Sequence, residues 1–431
     1  MLFKDITTID ENFELKEHMY VGVEKDRIAY VSDKQPAEDY GEIYQGKNKI
    51  LIPAFCNAHS HLPMCLMRGW AENLPLMDWL NGRIFPFESN LTDDDMYYAT
   101  LLGVSEMFRF GIGSTCEMYL SQEPQARALL ESGAKANLST CCIQPDGSDY
   151  FALPLYQKTL ETIGRYDGLD NGRLHVEFSL HAEYTSNEKI AKGIAEAAAK
   201  HNSSMHVHVS ETKGEVELCR ERHEGRSPVK YLSDCGIFDV PTVAAHCVHI
   251  DDEDIEILKE HNVTVATCPK SNAKLASGIC PVTSLLEAGV NVAIGTDSVA
   301  SNNNLNMLEE MRFFNLLQKA VNYDPTVITP SETLYAATRA GAIAQRRNDC
   351  GLIKEGFKAD LTVLDTDKYY LKPAHNVLNN LIYSASGNNV VMTMVDGKIC
   401  YKNGEYPTLD MERIVFECEK SAQRILGALG K

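Results

Sequence analysis

The chain has 431 residues, 44% of them apolar and 23% charged, an ordinary balance for a globular protein that can bury a sizeable core. Acidic residues outnumber basic ones 60 to 41, a net charge of −19, which disfavours nucleic acid and anionic membrane surfaces as partners. Thirteen scattered cysteines without a CxxC pair, no apolar N-terminal run and no stretch of the ~18 apolar residues that span a bilayer predict a cytoplasmic protein with reduced thiols, no signal peptide and no membrane partner.

Residues 1 to about 50 have the texture of short strands, and "EHMYVGVEKDRIAYVSD" predicts two strands around a charged turn. The apolar run Ile50–Phe55 predicts a buried strand. Apolar, β-branched runs then recur at 51–58, 111–116, 134–143, 174–181, 203–209, 241–246, 263–268 and 290–296. Most gaps carry helical periodicity, clearest at 92–109, 123–132, 186–201, 251–261 and 303–321, and Thr92 with Asp95 gives the first of these a capping box. Eight strand-then-helix units predict a parallel sheet of α/β class. Eight is the number that closes a (β/α)8 barrel, although an open doubly wound sheet fits the pattern too. Strand texture returns after about residue 355 in "KADLTVLD" and "NVVMTMVDGKICYKNGEY", where Asp396-Gly397 and Asn403-Gly404 signal hairpin turns. A last helix is expected at about 410–428.

In such a barrel the chemistry lies at the C-terminal ends of the strands. Those ends carry His59-Ser60-His61, His181-Ala182-Glu183, His206-Val207-His208 with Glu211 beyond, His246, and Thr296-Asp297-Ser298. Strand side chains alternate, so His59 and His61 share a face and both point into the barrel mouth. Two neutral imidazoles there are good first ligands for a divalent metal; a third from His208 and a carboxylate from Asp297 complete an N3O set suited to zinc, with Fe or Mn as other occupants. Spacing alone leaves open whether His206 or His208 is the third; the other would be a hydrogen-bonded core or supporting histidine. Asp297 has a competing use as a helix cap, and Glu211 one as a charge at the N-terminus of the helix in "KGEVELCRER".

At these residues the sequence resembles the amidohydrolase superfamily, and more narrowly its 5-methylthioadenosine/S-adenosylhomocysteine deaminases. The resemblance rests on "LIPAFCNAHSHLPMCLMRGWAENLPLMDWL", "HVHVSET", "AAHCVHI", "CPKSNAKLASGICPV", "AIGTDSVASNNNLNMLEEMR" and "GFKADLTVLD", and covers nearly the whole chain. It implies a distorted (β/α)8 TIM barrel over residues 51–354 and a small β-sandwich built from residues 1–50 and 355–431. It implies one divalent metal, usually zinc, on His59, His61, His208 and Asp297. It implies Glu211 and His246 as the catalytic pair, and Glu88, matching an acid that grips ribose hydroxyls, and His181 as substrate contacts. The strand-4 stretch "RLHVEFSLHAEYT" has no lysine of the kind that bridges two metals in binuclear relatives, which favours one metal and an aromatic ring amine as the target.

The activity so implied is hydrolytic deamination of a purine nucleoside. A metal-held water of lowered pKa adds to the amine-bearing ring carbon, with Asp297 and His246 placed to orient it and one of them to take its proton, while Glu211 protonates the adjacent ring nitrogen. Two departures from the family pattern bear on the substrate. Relatives that bind a homocysteine tail are expected to place arginines after the third barrel strand, and "STCCIQPDGSDYFALPLYQ" (139–157) has none, so S-adenosylhomocysteine is expected to be disfavoured against methylthioadenosine, 5′-deoxyadenosine or adenosine. Glu183 replaces a common proline; it faces either the pocket or, more in keeping with a loop carboxylate, the surface. Trp70 and Trp79 lie near the entrance or pack in the core. The competing functions are deamination of another ring amine (guanine, a pterin or a triazine-like compound) and a non-catalytic scaffold on the same fold. The oligomeric state is left open, a homo-oligomer included.

Overall fold

The computed structural model describes every residue from Met1 to Lys431. Five strands lead the chain: β1 (Leu2–Ile9), β2 (Leu15–Glu24), β3 (Arg27–Ser32), β4 (Ile43–Gln45) and β5 (Lys49–Pro53). Eight more follow, separated mostly by helices: β6 (Phe55–Ser60), β7 (Ile112–Tyr119), β8 (Lys135–Cys142), β9 (Leu174–Leu180), β10 (Met205–Val209), β11 (Thr242–His246), β12 (Thr264–Thr267) and β13 (Asn291–Ile294). The last three are β14 (Leu361–Asp365), β15 (Val390–Val395) and β16 (Lys398–Lys402), and the chain closes with a helix, Met411–Ala428.

Strands β6 to β13 pair in sequence order, each parallel to the next. The ring closes at its C-terminal rim, where Ser60 bridges Asp297 and the Asp297 N–H donates to the His59 carbonyl (2.9 Å). This is a distorted (β/α)8 barrel, and the seam between its first and last strands excludes the open doubly wound alternative. β7, β10 and β11 are buried along their whole length, as strands covered on one face by helices and filling a barrel on the other must be.

The remaining strands form one mixed sheet in the order β16-β15-β14-β5-β1-β2-β3, with β4 on the flank of β1, so both ends of the chain contribute to it. The apolar run Ile50–Phe55 proves to be two strands. β5 belongs to the mixed sheet and β6 to the barrel, so the change of sheet falls at Ala54 rather than after residue 50. Pro53 has no N–H to extend a ladder. Beyond it, Ala54 donates to the Asp360 carbonyl and Phe55 to the Gly111 carbonyl (2.9 Å each), so neighbouring residues are bonded to different partners.

One continuous cluster of 83 buried apolar side chains joins the two sheets, running from Phe3 through Phe55 and Phe178 to Leu361. No helix is long and apolar enough to cross a membrane. The two turn signals near the end of the chain hold: Asp396-Gly397 links β15 to β16 with φ of 46° and 72°, and Asn403-Gly404 follows with 51° and 96°, the left-handed pair of a tight hairpin. Gly397 is also required by space, because a Cβ there would collide with the Lys25 carbonyl oxygen.

Beneath the barrel, Lys135 at the start of β8 is 2% exposed and sits between two carboxylates, Asp360 (2.7 Å to Oδ1) and Asp396 (2.7 Å). It therefore ties the barrel to β14 and to the β15–β16 turn. Lys135→Met should leave two buried carboxylates facing each other and cost about 3–5 kcal/mol of stability. Denaturant unfolding would read this as a lowered midpoint, and an unchanged midpoint would show that the ion pair contributes nothing net.

Candidate metal centre and active site

The C-terminal strand ends surround a cleft of about 660 Å³ including its open mouth, within the range of small-molecule pockets. β6 delivers His59 and His61 on the same face, with ring centroids 4.7 Å apart. β10 delivers His208, and Asp297 follows β13. His59, His61 and His208 each offer a ligand atom, and these atoms all lie within 4.8 Å of one another. His208 Nε2 is 3.4 Å from His61 Nε2, and Asp297 Oδ1 is 3.3 Å from His61 Nε2 and 3.6 Å from His59 Nε2.

These nitrogens converge because the opposite side of each ring is engaged. His61 Nδ1 donates to the Met118 carbonyl, and His208 Nδ1 donates to the His181 carbonyl (2.8 Å). His59 Nδ1 meets His206 Nε2 at 2.9 Å. For His59 to offer a lone pair at Nε2, its proton must sit on Nδ1 and be donated to His206, which then carries its own proton on Nδ1. His59 Nε2 is left buried with no hydrogen-bond partner, an arrangement that costs stability unless something electrophilic fills the gap. Burial, reinforced by the neighbouring imidazoles, holds His59 and His208 well below the usual histidine range, so both are neutral, the form that ligates. His61 moves the other way, up to about 9: burial pulls it down, but the bond to Asp297 and its charge prevail. Three imidazole Nε2 atoms and a carboxylate oxygen, gathered at one point, thus fit one divalent ion, and zinc suits the set.

The other Asp297 oxygen accepts from Ser271 Oγ (2.5 Å) and Ser301 Oγ (3.0 Å). The short helix that follows is capped by Ser298, whose hydroxyl accepts from Ser301 N (3.0 Å), so the cap reading of Asp297 is not needed. Glu211 is likewise free of helix work. Thr212 caps that helix in a capping box with Glu215, whose carboxylate also takes the backbone N–H groups of Ser210 (2.9 Å) and Glu211 (2.7 Å). The Glu211 carboxyl faces the cleft, 3.9 Å from His246 Nε2 and touched by Ser277 Oγ at 3.3 Å. Burial raises it above the usual carboxylate range, and the Asp297 charge adds to that against the pull of His246. His246 follows the bend at the end of β11 with φ +74°; its Nδ1 donates to Asn272 Oδ1 (2.9 Å), leaving Nε2 toward the cleft. His181 Nδ1 is engaged by Thr185 Oγ1 (2.9 Å), and burial lowers the ring to about 3, so it is neutral. Glu88 lines the same cleft, and burial pushes its carboxyl up to about 7 against the pull of the Tyr119 hydroxyl and the His61 ring.

Every site residue expected from sequence therefore borders one cleft or the cluster beneath it. Other expectations are corrected. Glu183 is neither a surface carboxylate nor a pocket residue: it is 2% exposed and paired with Arg222 (2.5 Å) and His223 (2.7 Å). Trp79 lines the cleft, whereas Trp70 packs outside it on Phe87. Sequence reasoning missed Glu117, which accepts from Ser60 Oγ (2.6 Å) and Leu62 N (2.7 Å), one on each side of His61, and so fixes that turn. The signal was present: an acidic residue inside an apolar strand is rarely buried without partners.

The sequence pattern of the amidohydrolase family matches residues 50–400. The chain is 40% identical over 429 residues to the 5-methylthioadenosine/S-adenosylhomocysteine deaminase of Thermoanaerobacter pseudethanolicus, covering 99% of both proteins. Its structure is similar to that of an adenosine deaminase from Xanthomonas campestris with bound zinc, with a TM-score of 0.92, 30% identity and coverage of 99% of this chain and 98% of that one. An atrazine chlorohydrolase from Arthrobacter aurescens complexed with zinc shares the fold at a TM-score of 0.89 with 19% identity, over 98% of this chain and 99% of that one.

His206→Phe keeps a ring in place but removes the acceptor for His59 Nδ1. Loss of such a supporting bond is expected to weaken divalent-metal affinity about 10–100-fold. Competition against a chromophoric chelator measures this, and wild-type affinity in the variant would show that His206 does not orient His59.

Proposed function

The chain belongs to the amidohydrolase family, and on that footing we propose that it is a metal-dependent hydrolytic deaminase of adenine nucleosides, releasing ammonia and the inosine analogue. It is a hydrolase of C–N bonds. The observation that carries this reading is the convergence of three imidazole Nε2 atoms and Asp297 Oδ1 beside the Glu211 carboxyl. His59, His61, His208 and Asp297 are the proposed ligands of one divalent ion, zinc in preference, because an N3O set of this kind suits it. Bound there, the ion supplies a water of lowered pKa and Lewis acidity toward the reacting carbon.

The chain's own groups do the rest. Burial raises the Glu211 carboxyl above the usual carboxylate range, which favours its protonated form; it delivers that proton to the ring nitrogen next to the amine-bearing carbon as water adds, and takes one back from the added hydroxyl as the carbonyl forms. His246 Nε2 and Asp297 Oδ1 would orient the water, and the one proton taken from it passes to the departing amine, which leaves as ammonia. Glu88 grips the ribose hydroxyls, and His181 contacts the substrate through its free Nε2. All thirteen cysteines are free, which fits a reducing compartment and supports a cytoplasmic location.

The cleft also bears on which nucleoside is used. Cys141 and Ile143, from the stretch that lacks arginine, line it, and no lysine or arginine does. A substrate carboxylate desolvated there has no cationic partner. The chain therefore favours adenine nucleosides with short, neutral 5′ groups over S-adenosylhomocysteine.

A panel of adenine nucleosides, guanine, pterins and triazines, followed by ultraviolet change and ammonia release, tests the assignment; turnover confined to free bases would sink it. Within the panel, kcat/KM for 5-methylthioadenosine is expected to exceed that for S-adenosylhomocysteine by at least about tenfold, and the reverse order would overturn the 5′ argument. Glu211→Gln should retain metal while kcat falls by roughly 10²–10⁴; near-normal turnover would remove Glu211 from the chemistry.

A further inference from the structure

The wall of the cleft has an apolar cluster of its own, separate from the main core. Trp79, Leu80, Ile84 and Phe87 pack there with Met64 and Tyr119. Most of these line the cleft, and they come from the segment that carries Glu88 or from the strand ends beside it. That segment is one short helical run, residues 76–88, with a π-turn at Leu80–Ile84 in its middle. A helix of that length is marginal in water on its own, so its place is set by tertiary contacts.

The cluster also takes a side chain from the far end of the sequence, where the last helix packs on the Asp93–Arg109 helix and the Leu62–Met67 turn. Ile425, on the last helix, is fully buried within the same cluster. Its neighbour Arg424 reaches in two directions. Nη1 donates to the Asn90 carbonyl (3.2 Å), and Nη2 pairs with the buried carboxylate of Asp95. Asn90 belongs to the turn that follows Glu88: Asn90 N donates to the Phe87 carbonyl (3.1 Å), Leu91 N to the Glu88 carbonyl (3.0 Å) and Asn90 Nδ2 to the Pro86 carbonyl (2.9 Å). Asp95 in turn caps the next helix by accepting from Thr92 N (2.7 Å). Arg424 thus straddles the link between the Glu88 turn and the helix behind it, while Ile425 backs the wall on which that turn rests.

We propose that the last helix is a positioning element for the active site, with Ile425 backing the cleft wall and Arg424 pinning the turn that aims the Glu88 carboxyl at the ribose. This rests on the reading of Glu88 as the ribose ligand. It predicts a defect in substrate binding, not in chemistry, because neither residue touches the metal cluster or Glu211.

The test uses the full-length, metal-loaded enzyme with Ile425→Ala, Arg424→Ala and Arg424→Lys, and with Glu88→Gln alongside, assayed on adenosine and 2′,3′-dideoxyadenosine. KM for adenosine is expected to rise about tenfold in the two alanine variants while kcat stays within about twofold. Bound metal should be unchanged, the preference for adenosine over its dideoxy analogue should shrink toward that of Glu88→Gln, and Arg424→Lys should recover part of it. Equal losses on both substrates, or no loss on either, would overturn the proposal. If Glu88→Gln removes the ribose preference and the helix variants keep it, the bracing role alone falls. If Glu88→Gln keeps the preference, the ribose reading falls and the bracing role with it. Should Ile425→Ala not fold, the half-exposed Arg424 carries the same comparison.

Discussion

The backbone N–H of Asp297 donates to the carbonyl of His59, and this one bond both closes the barrel and brings the carboxylate to the imidazoles. Without it the first and last strands would be open edges, and Asp297 Oδ1 would have no reason to lie near His59 and His61. The seam is prepared on both sides. Gly295 has no Cβ; one built there would come within 2.8 Å of the His59 Cβ. Asn57, fully buried, closes the gap with its side chain, donating to Thr296 Oγ1 (2.7 Å) and accepting from Thr296 N (2.9 Å). A buried amide satisfied at both ends is a rigid spacer, so the fold itself fixes the separation of the strands that carry His59 and Asp297.

The direction of each imidazole is set by its neighbours. The carbonyls of Met118 and His181, at or just beyond the ends of β7 and β9, hold the Nδ1 protons of His61 and His208. Strands that supply none of the proposed ligands therefore still determine which nitrogen of each ring faces the cleft. His59 uses a side chain for the same purpose, since His206 lies one layer deeper on the same face of β10 as His208. His59 Nε2 is a deficit in a dry environment, and burial keeps the His59 and His208 rings from picking up protons.

Much of this was legible in the residues. Alternation places His59 and His61 on one face, eight apolar runs with intervening helical periods mark the barrel, and Asp-Gly and Asn-Gly mark the closing turns. What was illegible has a common cause: the pattern had the same period under either reading. His206 and His208 share a face, so spacing alone left the two equivalent and only the family pattern chose between them; in the fold, depth in the barrel separates them. Ile50 to Phe55 is apolar throughout because both sheets bury it, and no change of polarity marks the transfer at Ala54. Glu183 looked like a loop carboxylate because its partners, Arg222 and His223, lie on the next barrel unit, about 40 residues on, and nothing local announces them. Trp70 stands in a turn and Trp79 in the helical run that begins at Leu76, and no local pattern tells the ring packed on Phe87 from the one that lines the cleft.

The mixed sheet sets an order on the birth of the molecule. β5 pairs with β14, Pro53 lying opposite Leu361, so the strand that leads directly into β6 is flanked on one side by a segment translated long after it. On the ribosome the barrel strands emerge while the edge of β5 still waits for its partner, an exposed ladder of the kind that invites wrong pairing. The strand that carries the first histidine pair is joined to that unfinished edge by the single residue Ala54, so the surroundings of His59 and His61 are completed only after the last third of the chain has been made.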